Sequence, residues 1–169
     1  MKLNVMKYLE ATLLICSNSP QQFIDDVIAL QNIGIYRLSS PTKLSITDCY
    51  FDTLTDTLSQ AGFNLRIRTQ NGDKLVTLKG NPIQLSEDVS ERMEIERLWS
   101  PDGMQEVLGI LSDNNVVFED YKQGYSNPPC EVLNKLGLNL LQKRQNNRTT
   151  MNITDSKEIH LLSQLFEKV

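Results

Sequence analysis

Several full charges in this sequence sit at spacings that a strand converts into one-sided clusters. In Leu65-Arg66-Ile67-Arg68 the two arginines share one strand face and the two aliphatics the other, because successive side chains alternate. Val76-Thr77-Leu78-Lys79 sets Thr77 and Lys79 together, and Met93-Glu94-Ile95-Glu96 sets two carboxylates together. Asp48-Cys49-Tyr50-Phe51-Asp52 places two acids beside a tyrosine. Guanidinium and ammonium groups bind phosphate oxygens, and paired carboxylates bind a divalent cation. To do so together, the charged faces must curl around a wet channel, with helices on the aliphatic side. By periodicity alone the plainer alternative is the solvated face of an antiparallel sheet.

The elements that must position these residues are legible in outline. Residues 7–15 read as a strand. Asn71-Gly72, between the Arg segment and the Lys segment, predicts a tight hairpin and therefore adjacent strands. Ser19-Pro20 predicts a helix start, with Phe23, Val27 and Leu30 on one face and Gly34 as its stop. Ser100-Pro101 repeats the device before Met104, Val107, Leu108 and Leu111, with Trp99 expected to pack beneath that helix. Ser126-Asn127-Pro128-Pro129 opens a third, through Val132, Leu133 and Leu136 to Gly137. The three apolar faces are expected on the outside of a sheet. Asp52 is read as the anchor of the turn into Thr53. Asn146 to Thr149 is read as a hairpin tip, and His160, the one histidine, as solvated or structural.

Length and charge bound the function. The 169 residues suit a single domain, 1–169, able to bury its own core. With 17 Lys+Arg against 21 Asp+Glu the net charge is −4, a poor balance for a general nucleic-acid binder. Cys16, Cys49 and Cys130 are too scattered for a disulfide framework or a zinc site and are expected as reduced thiols. No apolar run reaches the roughly 18 residues of a membrane helix, and the start does not read as a signal peptide. The expectation is a cytoplasmic protein with no membrane partner.

The stretch Asp48 to Gly80 resembles the CYTH family, the triphosphate tunnel proteins that include thiamine and inorganic triphosphatases and class IV adenylate cyclases. The resemblance rests on Tyr50-Phe51-Asp52-Thr53, Leu58, Gly62, Leu65-Arg66-Ile67-Arg68 and Thr77-Leu78-Lys79-Gly80, in order and with spacing intact. It implies an α+β fold: an antiparallel β-barrel forming a tunnel, with helices packed outside. It further implies that Arg66, Arg68, Lys79 and Arg144 bind phosphate. Lys79, Glu94 and Glu96 would act in catalysis, and Glu10, Glu94 and Glu96 would hold Mg²⁺ or Mn²⁺. Metal and cations together spread the charge of a phosphoryl transition state.

The sequence also departs from the family pattern. The family opens with Glu-x-Glu-x-Lys, and here Tyr8 and Thr12 stand where a Glu and the Lys belong, leaving Glu10. Leu162 stands where a C-terminal Asp belongs, and the chain ends at Val169 with Glu167 as the nearby carboxylate. The barrel is therefore expected to be incompletely closed at its C-terminal edge, which leaves a homodimer open as a way to cover it. The resemblance implies a triphosphate-containing small molecule as ligand, with metal-dependent hydrolysis weak or lost. Two alternatives stand beside it: a non-catalytic binding module for a phosphorylated ligand or partner, and a class IV adenylate cyclase.

Overall fold

The computed structural model describes residues 6–11, 18–87, 89–118, 127–155 and 160–167; for 6–11 and 160–167 it describes the backbone. In chain order the elements are β1 (Met6–Ala11), α1 (Pro20–Ala29), β2 (Asn32–Ile33), β3 (Tyr36–Leu38), β4 (Thr42–Asp52), α2 (Thr57–Gln60), β5 (Phe63–Gln70), β6 (Asp73–Gly80), β7 (Ile83–Ser86), β8 (Val89–Leu98), α3 (Pro101–Asp113), α4 (Pro129–Lys135), β9 (Asn139–Thr154) and β10 (His160–Glu167). Thr12, Cys16 and Ser126, which entered the sequence reading, lie outside the described residues. The fold is α+β and every pairing described is antiparallel. No helix among the described residues is long and apolar enough to cross a membrane.

The chain divides into two compact units, residues 1–12 with 47–144, and residues 13–46 with 145–169. In the first, the strand order is β1-β8-β6-β5-β4-β9, with β7 also on β8; among the described residues it is an open path that does not return to β1. Asn71 and Gly72 both take positive φ, 53° and 90°, as a two-residue turn between β5 and β6 requires. The aliphatic face carries Leu65, Ile67, Val76, Leu78 and Ile95. Met104, Val107, Ile110 and Leu111 of α3, with Val132 and Leu133 of α4, complete one buried cluster, and Trp99 packs against it. The Ser100 hydroxyl accepts from the Gly103 N–H at 3.1 Å, capping α3. Gly103 is required there, since a Cβ would sit 2.5 Å from the Leu98 carbonyl oxygen.

Asp52 organises the turn after β4, as expected. Its carboxylate accepts from the N–H groups of Thr53 (2.7 Å), Leu58 (2.8 Å) and Ser59 (3.0 Å) and from the Ser59 hydroxyl (2.6 Å). Two of those N–H groups are otherwise orphaned at the start of α2. Burial alone would raise its pKa, but the Ser59 hydroxyl and the three N–H donors outweigh burial and lower it. A depressed folded-state pKa contributes stability that is present above the unfolded value and is lost as pH falls through the folded one. Asp52→Ala is therefore expected to cost about 1.5–3 kcal/mol at neutral pH. The gap to wild type should narrow once pH drops below about 4. Urea unfolding of both proteins at pH 7 and at pH 3 checks this; a gap independent of pH would assign the loss to packing.

In the second unit β9 pairs with β10 and with β3, and β3 with β2. Two expectations are corrected here. Residues 146–149 are not a hairpin tip: β9 runs unbroken from Asn139 to Thr154, with Arg148 opposite Glu167 and Thr149 opposite Phe166. Asn146 and Asn147 lie within this strand, next to the stretch from Arg148 that pairs with β10, and the threonines at 149 and 150 favour the extended state. Helix α1 ends at Ala29, where Leu30 turns extended, and Gly34 instead takes φ +59° between β2 and β3. None of its residues is fully buried; Ile24, Val27 and Ile28 on its apolar stripe are half-buried.

Candidate functional site

The cross-strand register of the first unit assembles the charged face. Arg66 stands opposite Thr77, Thr77 opposite Glu96, and Lys79 opposite Glu94. Directly opposed residues point to the same side, so four of the predicted residues share one face, and Arg68 joins them two positions from Arg66. It is not a merely solvated face. Arg66 and Arg68 are 5% and 8% exposed, and Asp48 beside them 1%. Burial of that depth requires partners.

Asp48 is the first partner. Its carboxylate takes both prongs of Arg68, Nε at 2.8 Å and Nη2 at 2.9 Å, and faces Arg66 Nη1 at 3.5 Å. Burial pulls the Arg68 guanidinium down, but the hydrogen bond and charge of Asp48 more than offset it, so its pKa is raised. Glu94 is the second. Its Oε2 lies 3.0 Å from Lys79 Nζ and 3.9 Å from Arg92 Nε, and its Oε1 lies 3.7 Å from Arg66 Nη2. Glu96, more exposed, accepts from the Thr77 hydroxyl at 2.9 Å and faces Arg66 Nη2 at 3.8 Å. Burial, followed by the neighbouring Arg66, lowers the Lys79 pKa, with Glu94 acting against them. Arg66, Arg68, Lys79 and Arg92 against Asp48, Glu94 and Glu96 leave the cluster at 4 − 3 = +1.

The remaining expected residues lie differently. Arg144, on β9, holds its guanidinium over the Tyr50 ring, 5.5 Å from the centroid, a cation–π geometry. In β1, Met6 stands opposite Glu94 and Glu10 opposite Ser90. At ~3.3 Å per residue that sets Glu10 about 13 Å along the strand from Glu94, so the register does not bring it to the Glu94–Glu96 pair. Sequence reasoning set Asp48 among the charges that could line the channel without giving it a ligand role, and left Arg92 out of the site. Both carried a usable signal: Arg92 shares strand parity with Glu94 and Glu96, and Asp48 is a charge on a strand next to two arginines.

The donor set bears on metal binding. Among the described residues no group of three or more His, Cys, Asp and Glu is arranged to hold a metal ion. Glu94 and Glu96 offer two carboxylates on one strand face, both already facing cations. Mg²⁺ commonly binds through one or two carboxylates plus substrate phosphate oxygens and water. These residues therefore fit a cation that arrives on a triphosphate better than a resident ion.

The CYTH domain family matches residues 25–162. Among solved structures, the chain is similar to the candidate adenylyl cyclase HpAC1 from Hippeastrum, described as having a dominant triphosphatase activity. The two share 19% identity over 97% of this chain and 72% of that one, with a TM-score of 0.49. A candidate adenylate cyclase from Bacillus halodurans matches at 13% identity over 98% of this chain and 80% of its own, with a TM-score of 0.46. Another from Vibrio parahaemolyticus matches at 14% identity over 98% and 75%, with a TM-score of 0.37. Curated proteins give no match.

Proposed function

Because the chain belongs to the CYTH family, we propose that it binds the triphosphate moiety of a small molecule at the Arg66–Arg68–Lys79–Glu94–Glu96 face, as a divalent-metal complex, and hydrolyses it slowly or not at all. The observation that carries this reading is the convergence of four cations with three carboxylates on one strand face where both arginines are buried. A solvated protein face does not bury guanidinium groups, whereas a polyanion site needs them aimed and fixed.

In this reading Arg66 and Lys79 bind phosphate oxygens. Arg68, held by Asp48, supplies charge and rigidity to the same face. Glu94 and Glu96 would hold Mg²⁺ or Mn²⁺ brought by the ligand, and that ion would supply positive charge to the transferred phosphoryl group. Burial keeps these groups fixed, so little reorganisation accompanies charge development. Tyr8, Thr12 and Leu162 stand where the family pattern has Glu, Lys and Asp. One missing preorganised charge is typically worth on the order of 10²–10³ in rate, which is why the turnover proposed is small.

Calorimetry with tripolyphosphate and orthophosphate, at two salt concentrations, tests binding. Tighter binding of the longer anion, weakened by salt, is expected. Phosphate release from tripolyphosphate and ATP with Mn²⁺ should fall below the ordinary enzyme range of ~1–10³ per second. Equal affinity for both anions sinks the binding reading. Ordinary turnover sinks the expectation of weakness, and cyclic AMP formed from ATP would favour the cyclase alternative.

A further inference from the structure

Two of the cysteines meet on the side of the sheet away from the charged face. Arg144 lies over Tyr50, so β9 passes beside β4 at that level. Side chains alternate along both strands. Cys49 and Lys143, each one residue back, therefore point to the opposite side, that of the helices. Phe51, two residues on from Cys49, is buried in the cluster that holds Val132, Leu133 and Leu136, and half-buried Cys49 packs against that cluster. Helix α4 supplies Val132 and Leu133 from its buried face and carries Cys130 exposed. The Leu138 N–H donates to the Leu133 carbonyl at 2.9 Å, which turns the end of α4 directly into β9. Burial first, then the Cys130 sulfur, push the Cys49 pKa up, while Lys143 pulls it down. Two free thiols that are 130 − 49 = 81 residues apart in sequence thus lie within electrostatic range of each other.

We propose that Cys49 and Cys130 form a reversible disulfide that ties α4 to β4 behind the charged face. The oxidant is a small disulfide of the glutathione class. Exposed Cys130, as thiolate, attacks one sulfur of that disulfide and expels one glutathione thiolate. Cys49, as thiolate, then attacks Cys130 Sγ and expels the second. The two protein thiols lose two electrons, the oxidant gains them, and the two protein protons end on two glutathione thiols. Exposure decides which thiol reacts first. Burial keeps Cys49 protonated and out of competition for the oxidant, and Lys143 favours its thiolate when it resolves the mixed disulfide. Excess glutathione reverses both steps, so the state of the pair follows the thiol–disulfide poise around the protein. Asp48 and Tyr50 sit on the other face of β4, so the bond braces the strand that partners the buried arginines, whatever that face binds.

The test incubates the reduced full chain with glutathione disulfide, blocks remaining thiols with N-ethylmaleimide and digests with trypsin without reductant. Mass spectrometry should find the peptide Leu44–Arg66 joined to Gln123–Lys135, with Cys16 blocked. Cys49→Ser should leave glutathione on Cys130, and Cys130→Ser should yield no internal link. Oxidised wild type should melt roughly 5–10 °C above the reduced protein, because the bond closes a long loop in the unfolded chain. Dithiothreitol should erase that gain, and neither variant should show it. A link through Cys16, or glutathione left on Cys130 with Cys49 still free in wild type, would overturn the pairing. A bond that lowers the melting temperature would mean that α4 must leave its place to form it, and would overturn a tie built into this fold. Cys130 is exposed, so C130S keeps the test decisive even if C49S folds poorly.

Discussion

Asp48→Asn should destabilise the protein by about 3–5 kcal/mol, the cost of removing one partner from a buried ion pair. The carboxylate is 1% exposed and lies between two buried guanidiniums, making two bonds to Arg68 and facing Arg66. An amide keeps the shape but removes the charge, and its NH₂ turns one acceptor into a donor aimed at donors. Both arginines then stay buried with their nearest countercharge gone, and a guanidinium does not neutralise itself by losing a proton in a protein. Urea unfolding should show a lower midpoint with unchanged slope. Combining D48N with Arg68→Met should recover part of the loss, because the charge left without a partner is then removed as well. A loss under about 1 kcal/mol, typical of exposed pairs, would mean that water reaches the two guanidiniums and that the face is open.

That Asp48 governs this face while the sequence pointed first to Arg66 and Arg68 shows where legibility ended. Alternation is local, so the shared face of Arg66 and Arg68, or of Glu94 and Glu96, follows from the chain itself. Asn71-Gly72 fixes the register of β5 against β6, and with it the neighbourhood of Arg66 and Thr77. The aliphatic positions 65, 67, 76, 78 and 95 all reached the core, since strand parity decides them before any tertiary contact forms. Pairing between distant strands is another matter. The contact of Asp48 with Arg68 depends on β4 lying beside β5, and that of Arg92 with Glu94 on the side-chain course of a long arginine. Glu10 illustrates the same limit. Its type suited a metal ligand, but the β1–β8 register sets it opposite Ser90, and no local signal encodes a register of four residues. The asparagines of β9 read as a turn for the converse reason: their local preference was plain, and the strand that runs through them pairs with β4 and β10, both distant in sequence.

Arg66→Ala should weaken tripolyphosphate binding by roughly 10- to 150-fold, the equivalent of about 1.5–3 kcal/mol for one charge-assisted hydrogen-bonding group. Its effect on folding should be far smaller than that of D48N, and the asymmetry follows from what each substitution leaves behind. Without Arg66, Asp48 keeps both bonds to Arg68, Glu94 keeps Lys79 at 3.0 Å, and Glu96 keeps the Thr77 hydroxyl. No buried carboxylate is stranded. Arg66 is also the cation that reaches all three acids, at 3.5, 3.7 and 3.8 Å, none at full hydrogen-bond length, and its Nε is unmatched. A group so loosely held to many partners contributes modestly to the resting fold and has most to gain from a ligand with several oxygens. Arg66→Lys separates charge from shape: a lysine restores the charge but not the planar fork, so it should recover part of the affinity. Calorimetry on the three proteins, beside urea unfolding of each, measures both quantities. Were R66A to unfold the protein as readily as D48N while leaving affinity within twofold, Arg66 would be a structural cation and the ligand would have to bind elsewhere on the sheet.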